Sequence, residues 1–177
     1  DQPRPGRQRQ RVVIALALAA RPRLIIADEP TTALDVSVQA QITALLRRLC
    51  REQGTSVLLV THDMGVIAET ADRVAVMYAG RIVEIGPVLE VLRRPGHPYT
   101  QGLMNAIPGL RHRAARLNQI DGAMPRLHAM PDGCAFHPRC AMAGPRCGQA
   151  RPALAASPSG ATVSACWLHQ GGVAHAA

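Results

Sequence analysis

Leu24-Ile25-Ile26-Ala27-Asp28-Glu29-Pro30 is the stretch from which the rest of the chain is read. Four apolar residues run without a break into two adjacent carboxylates, and a proline closes the run. A short continuous apolar segment of this kind suits a strand buried on both faces of a parallel sheet. Ligands of α/β sheets collect at the carboxyl ends of the strands, which is where Asp28 and Glu29 fall. Successive residues there point in opposite directions, so the two acids can divide the work of phosphoryl transfer. One holds Mg²⁺, usually through water, while the other orients the attacking water. Taken alone, the pair reads equally well as a helix cap or a surface turn.

Working outward, Gln8 to Ala20 is rich in Ala and Leu and predicts a helix ended by Arg21-Pro22. Val36 to Gln53 predicts a second helix, with Ile42, Leu45, Leu46 and Leu49 on one stripe and Gly54 as its stop. Ser56 to Val60 is another buried-strand pattern and ends at Thr61-His62-Asp63. After a short helix, Arg73 to Tyr78 and Arg81 to Ile85 read as strands joined by Ala79-Gly80. Pro87 to Arg93 is helical, and Pro95-Gly96 breaks the chain. Strands alternating with helices make the fold class α/β. No internal repeat is present.

The neighbours of Asp28-Glu29-Pro30 sharpen its meaning. Thr31-Thr32-Ala33-Leu34-Asp35 follows directly, and Thr61-His62-Asp63 comes one helix and one strand later. This order resembles the ABC ATPase family: a Walker B strand, a D-loop, and a switch histidine on the next strand, over roughly residues 6 to 86. The resemblance implies the C-terminal part of a P-loop NTPase-like domain. It implies that Asp28 holds Mg²⁺, that Glu29 polarises the hydrolytic water and that His62 contacts the γ-phosphate of ATP. Asp35 would couple the two sites of a dimer. Upstream, Gly6-Arg7-Gln8-Arg9-Gln10-Arg11 resembles the end of the ABC signature, with Gly6 and Gln8 as its nucleotide-facing remnants. The Ser and second Gly of that signature are replaced, and Arg7 crowds the approach of backbone N–H groups to a phosphate. Nothing matches Gly-x-x-x-x-Gly-Lys-Ser/Thr, and the chain contains no Lys at all. The expectation is therefore a piece of a longer ATPase that hydrolyses little ATP by itself.

His97-Pro98-Tyr99-Thr100, a short helix and a Cys-bearing tail resemble the C-terminal extension of oligopeptide/dipeptide permease ATPases. As an isolated feature, His97-Pro98 reads as a plain helix start. Residues 111 to 133 predict an irregular linker, and from Cys134 onward the chain is Pro-, Gly- and Cys-rich with almost no periodicity. Such a lobe needs something other than a hydrophobic core to order it. Cys134, Cys140, Cys147 and Cys166 are candidate metal ligands, spaced more widely than the close pairs usual for zinc. Zinc and unmetallated thiols stay open on the residues alone; the family resemblance implies a 4Fe-4S cluster. Cys50, on the second helix, reads as a small core residue.

Composition bounds the partners. The net charge is +8, carried by arginine, with no aromatic residues interleaved among the Arg clusters, so nucleic acid is not an expected partner. With one Trp, two Tyr and one Phe, the core is expected to be aliphatic. The longest apolar run, Val12 to Ala20, is far short of the ~20 residues a membrane helix needs. The resemblance supplies the membrane connection: a peripheral subunit on the cytoplasmic face, paired with a second ATPase subunit (identical or not) and docked on transmembrane permease subunits. Residues 1–95 are read as a partial ABC ATPase domain and 96–177 as the peptide-permease extension with its Cys cluster. Two other readings remain: a non-catalytic truncated remnant, and a metal-binding structural or sensing module.

Overall fold

The computed structural model describes residues 5–30, 36–107, 119–126, 128–157 and 160–170. These fall into two compact units, Asp1–Thr70 and Ala71–Ala177.

In the first unit, helix α1 (Pro5–Ala19) leads into strand β1 (Leu24–Asp28), helix α2 (Val36–Gln53), strand β2 (Ser56–Val60) and helix α3 (Met64–Thr70). Strands β1 and β2 pair in parallel, with Leu24 opposite Ser56 and Asp28 opposite Val60. The ladder is extended at both ends. Ser56 N–H donates to Arg23 O at 2.9 Å, and Glu29 N–H donates to Val60 O at 2.8 Å. Helix α2 buries Val38, Ile42, Leu46 and Leu49, spaced as one stripe of a 3.6-residue period. Ile14 of α1 packs against that cluster. Gly54, at φ +64, ends α2 in the left-handed conformation that costs glycine little.

The expectation that both strands are buried on both faces is corrected. Burial alternates along each strand, and Leu24, Ile26, Leu58 and Val60 are all about half exposed or more. One face of this small sheet is thus apolar and open. Asp28 shares the alternate, exposed set with Leu24 and Ile26.

In the second unit, strands β3 (Arg73–Tyr78) and β4 (Arg81–Pro87) form an antiparallel hairpin, followed by helices α4 (Val88–Arg93) and α5 (Pro98–Asn105). Further on come α6 (Pro145–Gln149) and two short strands, β5 (Ala155–Ala156) and β6 (Val163–Ser164). Strand order is β3-β4-β6-β5, so the tail adds two strands to the hairpin. Its core joins Val76, Tyr78, Val83 and Val91 to Phe136. Tyr78, Tyr99 and Phe136 pack with ring centroids 4.6 to 5.4 Å apart, in tilted and edge-on arrangements favoured by aromatic quadrupoles. Two expectations change here. The aliphatic core holds in the first unit, whereas the second is centred on aromatics. The Cys-rich tail also has hydrophobic anchorage, because Phe136 is 3% exposed. Part of the expected linker, residues 111–118 and 127, lies outside the described residues.

Candidate functional site

The first unit brings two of the predicted catalytic residues into direct contact. His62 Nδ1 and Glu29 Oε1 stand 2.7 Å apart. They come from the carboxyl ends of the paired strands β1 and β2, so the parallel register itself delivers them to the same edge. Glu29 has φ +46, a left-handed conformation that a residue with a Cβ seldom adopts. Strain of this kind costs on the order of 1–3 kcal/mol and concentrates where a side chain must be aimed. The hydrogen bond to Glu29, followed by its negative charge, raises the His62 pKa above the usual histidine value. Asp28 lies one residue back on the strand's open side.

His62 projects from a turn that is heavily tied. Asp63 N–H donates to Thr61 Oγ1 at 3.1 Å. Asp63 Oδ1 accepts from Gly65 N at 2.8 Å and Val66 N at 3.2 Å, capping helix α3. Its other oxygen accepts from Gln39 Nε2 at 2.7 Å. That bond is the first cause of an Asp63 pKa held below the usual carboxylate value. The sequence reading gave neither Asp63 nor Gln39 a role. An acid directly before a helix is a legible cap, whereas a contact across 24 residues leaves no spacing signal. Of the other predicted nucleotide contacts, Gly6 and Gln8 lie in the first turns of α1, and Asp35 is outside the described residues.

The second unit collects the four tail cysteines, all of them free thiols. Cys134 N–H donates to Cys147 O at 2.8 Å. Cys134, Cys140 and Cys147 each act electrostatically on Cys166, so the four share one neighbourhood. Burial raises the thiol pKa of Cys134 and Cys140 and pushes Cys166 up to about 11. Among the described residues, no group of three or more His, Cys, Asp or Glu side chains is gathered as a site for a metal ion.

Residues 83–147 match the family described as "Oligopeptide/dipeptide transporter, C-terminal region". The chain is also 48% identical over 165 residues to the oligopeptide transport ATP-binding protein AppD of Bacillus subtilis, covering 93% of this chain and 50% of AppD. It is 52% identical over 153 residues to the oligopeptide transport ATP-binding protein OppD of Salmonella typhimurium, covering 86% of this chain and 46% of OppD. The chain thus spans about half the length of these relatives. Among solved structures, an ATP-binding cassette in a post-hydrolysis state bound to ADP and Pi is 40% identical. That overlay covers 47% of this chain and 35% of the other, with a TM-score of 0.43, too low to define the fold.

Within residues 83–147, the His97-Pro98-Tyr99-Thr100 motif is a buried clamp. Glu84, fully buried on β4, accepts from Gly96 N at 2.7 Å and His97 N at 3.0 Å. His97 caps α5 by accepting from Tyr99 N at 3.0 Å, and Pro98 occupies the first turn. Gly96 O stands 2.7 Å from His169 Nε2, which binds the tail to the same point. Desolvation, then the nearby His169, lowers the His97 pKa to about 4, so the ring is neutral at neutral pH. The matched residues include Cys134, Cys140 and Cys147, while Cys166 lies beyond them.

Proposed function

We propose that this chain is the rear portion of the ATP-hydrolysing subunit of a peptide-importing ABC transporter, with residues 1–95 the ATPase portion and 96–177 the peptide-permease extension. The observation that carries the reading is the Glu29–His62 contact of 2.7 Å at the ends of two parallel strands. The likeness to oligopeptide transport ATP-binding proteins supports peptide transport as the process served.

Asp28 and Glu29 are hard oxygen donors, and Mg²⁺ needs only one or two carboxylates beside phosphate oxygens and water. The residues present therefore fit magnesium. Bound Mg²⁺–ATP supplies the transferable phosphoryl group and neutralises its charge. Within this chain, Asp28 would hold the ion's water shell. Glu29 would accept a hydrogen bond from the attacking water and hold it in line. His62 would keep the Glu29 carboxylate aimed and offer its ring to the phosphate. Gly6, Gln8 and Asp35 are assigned to contact across a pair of ATPase subunits, which would sit on the cytoplasmic face of the membrane against permease subunits.

The four tail cysteines are assigned to a 4Fe-4S cluster. Four free thiols are the soft donors such a cluster takes, though among the described residues they are not gathered into a preformed metal site.

The catalytic assignment is tested on the longer protein that includes a phosphate-binding loop. Glu29→Gln keeps the size and hydrogen-bonding capacity of the side chain and removes its basicity. Steady-state ATP turnover is expected to fall by ~100-fold or more, the scale of general-base contributions. Undiminished turnover would remove the assignment.

A further inference from the structure

We propose that Gln39 is a positioning residue for His62, tying the turn that carries the histidine to the opening turns of helix α2. The inference rests on His62 serving the site described above. Its mechanical part stands on geometry alone.

The His62 side chain is 83% exposed, so packing does not fix its ring. Two things can hold it: the hydrogen bond to Glu29, and the backbone turn from which it projects. That turn hangs on Asp63, whose N–H is fixed to Thr61 Oγ1 and whose carboxylate is used on both sides. Oδ1 faces the N-terminal amides of α3, and Oδ2 faces Gln39. An aspartate capping a helix with one oxygen can still swing about its terminal torsion, which is broad for a carboxylate. The second anchor, from a different helix, removes that freedom. Space at the turn is also tight, since a Cβ on Gly65 would come within 3.1 Å of Asp63 Oδ1.

The Gln39 amide donates to the Asp63 carboxylate at a charge-assisted distance of 2.7 Å. Gln39 is half-buried on its helix, and its partner lies 24 residues away. The consequence follows from chain order. Glu29 directly follows β1, Pro30 and residues 31–35 come next, and α2 starts at Val36, three residues before Gln39. Helix α2 therefore follows the segment beyond Glu29 and also grips the turn of His62. A shift in the opening of α2 bears on the turn of His62 through this amide as well as through the packing of α2 on β2 and α3.

The titratable groups acting on His62 are Glu29, from the end of β1, and Asp63, on its own turn. The test uses the 177-residue chain and histidine-ring ¹⁵N and carboxylate ¹³C NMR titrations. Gln39→Met keeps length and helix propensity while deleting the amide. In this variant the Asp63 midpoint is expected to rise, reporting loss of the tie. The His62 midpoint is expected to fall towards about 6.5, reporting a loosened contact with Glu29. A risen Asp63 midpoint with an unmoved His62 midpoint overturns the proposal, since Gln39 would then serve stability only. Should Gln39→Met fail to fold, Gln39→Asn, too short to span the gap, takes its place with the same two readings deciding. None of these readings depends on ATP turnover. Failure of Glu29→Gln to slow hydrolysis would strike the functional reading and leave this result intact.

Discussion

His97, which the sequence offers as a plain helix start, is a buried junction in the fold. It is 1% exposed, caps α5 and sits beside the buried carboxylate of Glu84. Its folded pKa of about 4 lies below the unfolded value of 6.5. Below pH 6.5 the unfolded chain therefore takes up a proton that the folded chain refuses. Stability is full above pH 6.5 and declines as pH falls towards 4. Between pH 7 and pH 5 the loss from this group is about 2 kcal/mol by linkage. Urea denaturation of the chain at the two pH values checks it: His97→Gln should be weaker at pH 7 but lose less on acidification. Asp28, Glu29 and His62 were legible as candidate site residues because each lies at or just past the end of an apolar strand run. Glu84 and Gln39 were not, since their roles lie in contacts across 12 and 24 residues, which no local period records.

At the scale of elements, the long ones were readable and the short ones were not. The bounds of α2, β2 and β3 follow the sequence reading because an apolar period and a turn residue agree at each. Strands β5 and β6 are two residues long, too short to carry any period, and Phe136 is one aromatic in a Pro- and Gly-rich stretch. The apolar runs of β1 and β2 forecast burial on both faces, yet what covers a strand is decided by other elements. The order in the tail can be tested at Gly133. Its φ is +66, and a Cβ there would stand 2.2 Å from Cys147 O, the acceptor for Cys134 N–H. Gly133→Ala combines left-handed strain with a backbone clash, so a loss of at least ~2 kcal/mol is expected in urea denaturation. Gly160→Ala, at φ +70 in open space, supplies the comparison and should cost only ~1 kcal/mol. Equal losses would mean that the Gly133 backbone does not sit against Cys147.

For the whole molecule, the open question is what the thiols add to a unit that already has a core. Phe136 and the hairpin anchor one side of the tail, and Arg139 binds the carbonyls of Ile120 and Asp121 at 2.9 and 2.8 Å. Arg146 lies over the Trp167 ring at 3.6 Å, while Trp167 Nε1 donates to Ala150 O at 2.9 Å. The four cysteines span residues 134 to 166, so a ligand held by all of them would link both ends of this tail. As free thiols their raised pKa values keep Cys134, Cys140 and Cys166 protonated at neutral pH. Ligation must therefore displace those protons, and metal affinity should weaken as pH falls. Anaerobic purification of the chain is expected to give a brown protein with about four irons and a broad visible absorption band. Chelation should bleach the band and lower the melting temperature, because metal held only by the folded state adds its binding energy to folding. Cys166→Ser should lose iron as Cys134→Ser does, although only Cys134 lies within residues 83–147. A colourless, iron-free chain whose melting temperature ignores both chelator and Cys166→Ser would leave the aromatic core and the arginine ties as what orders the tail.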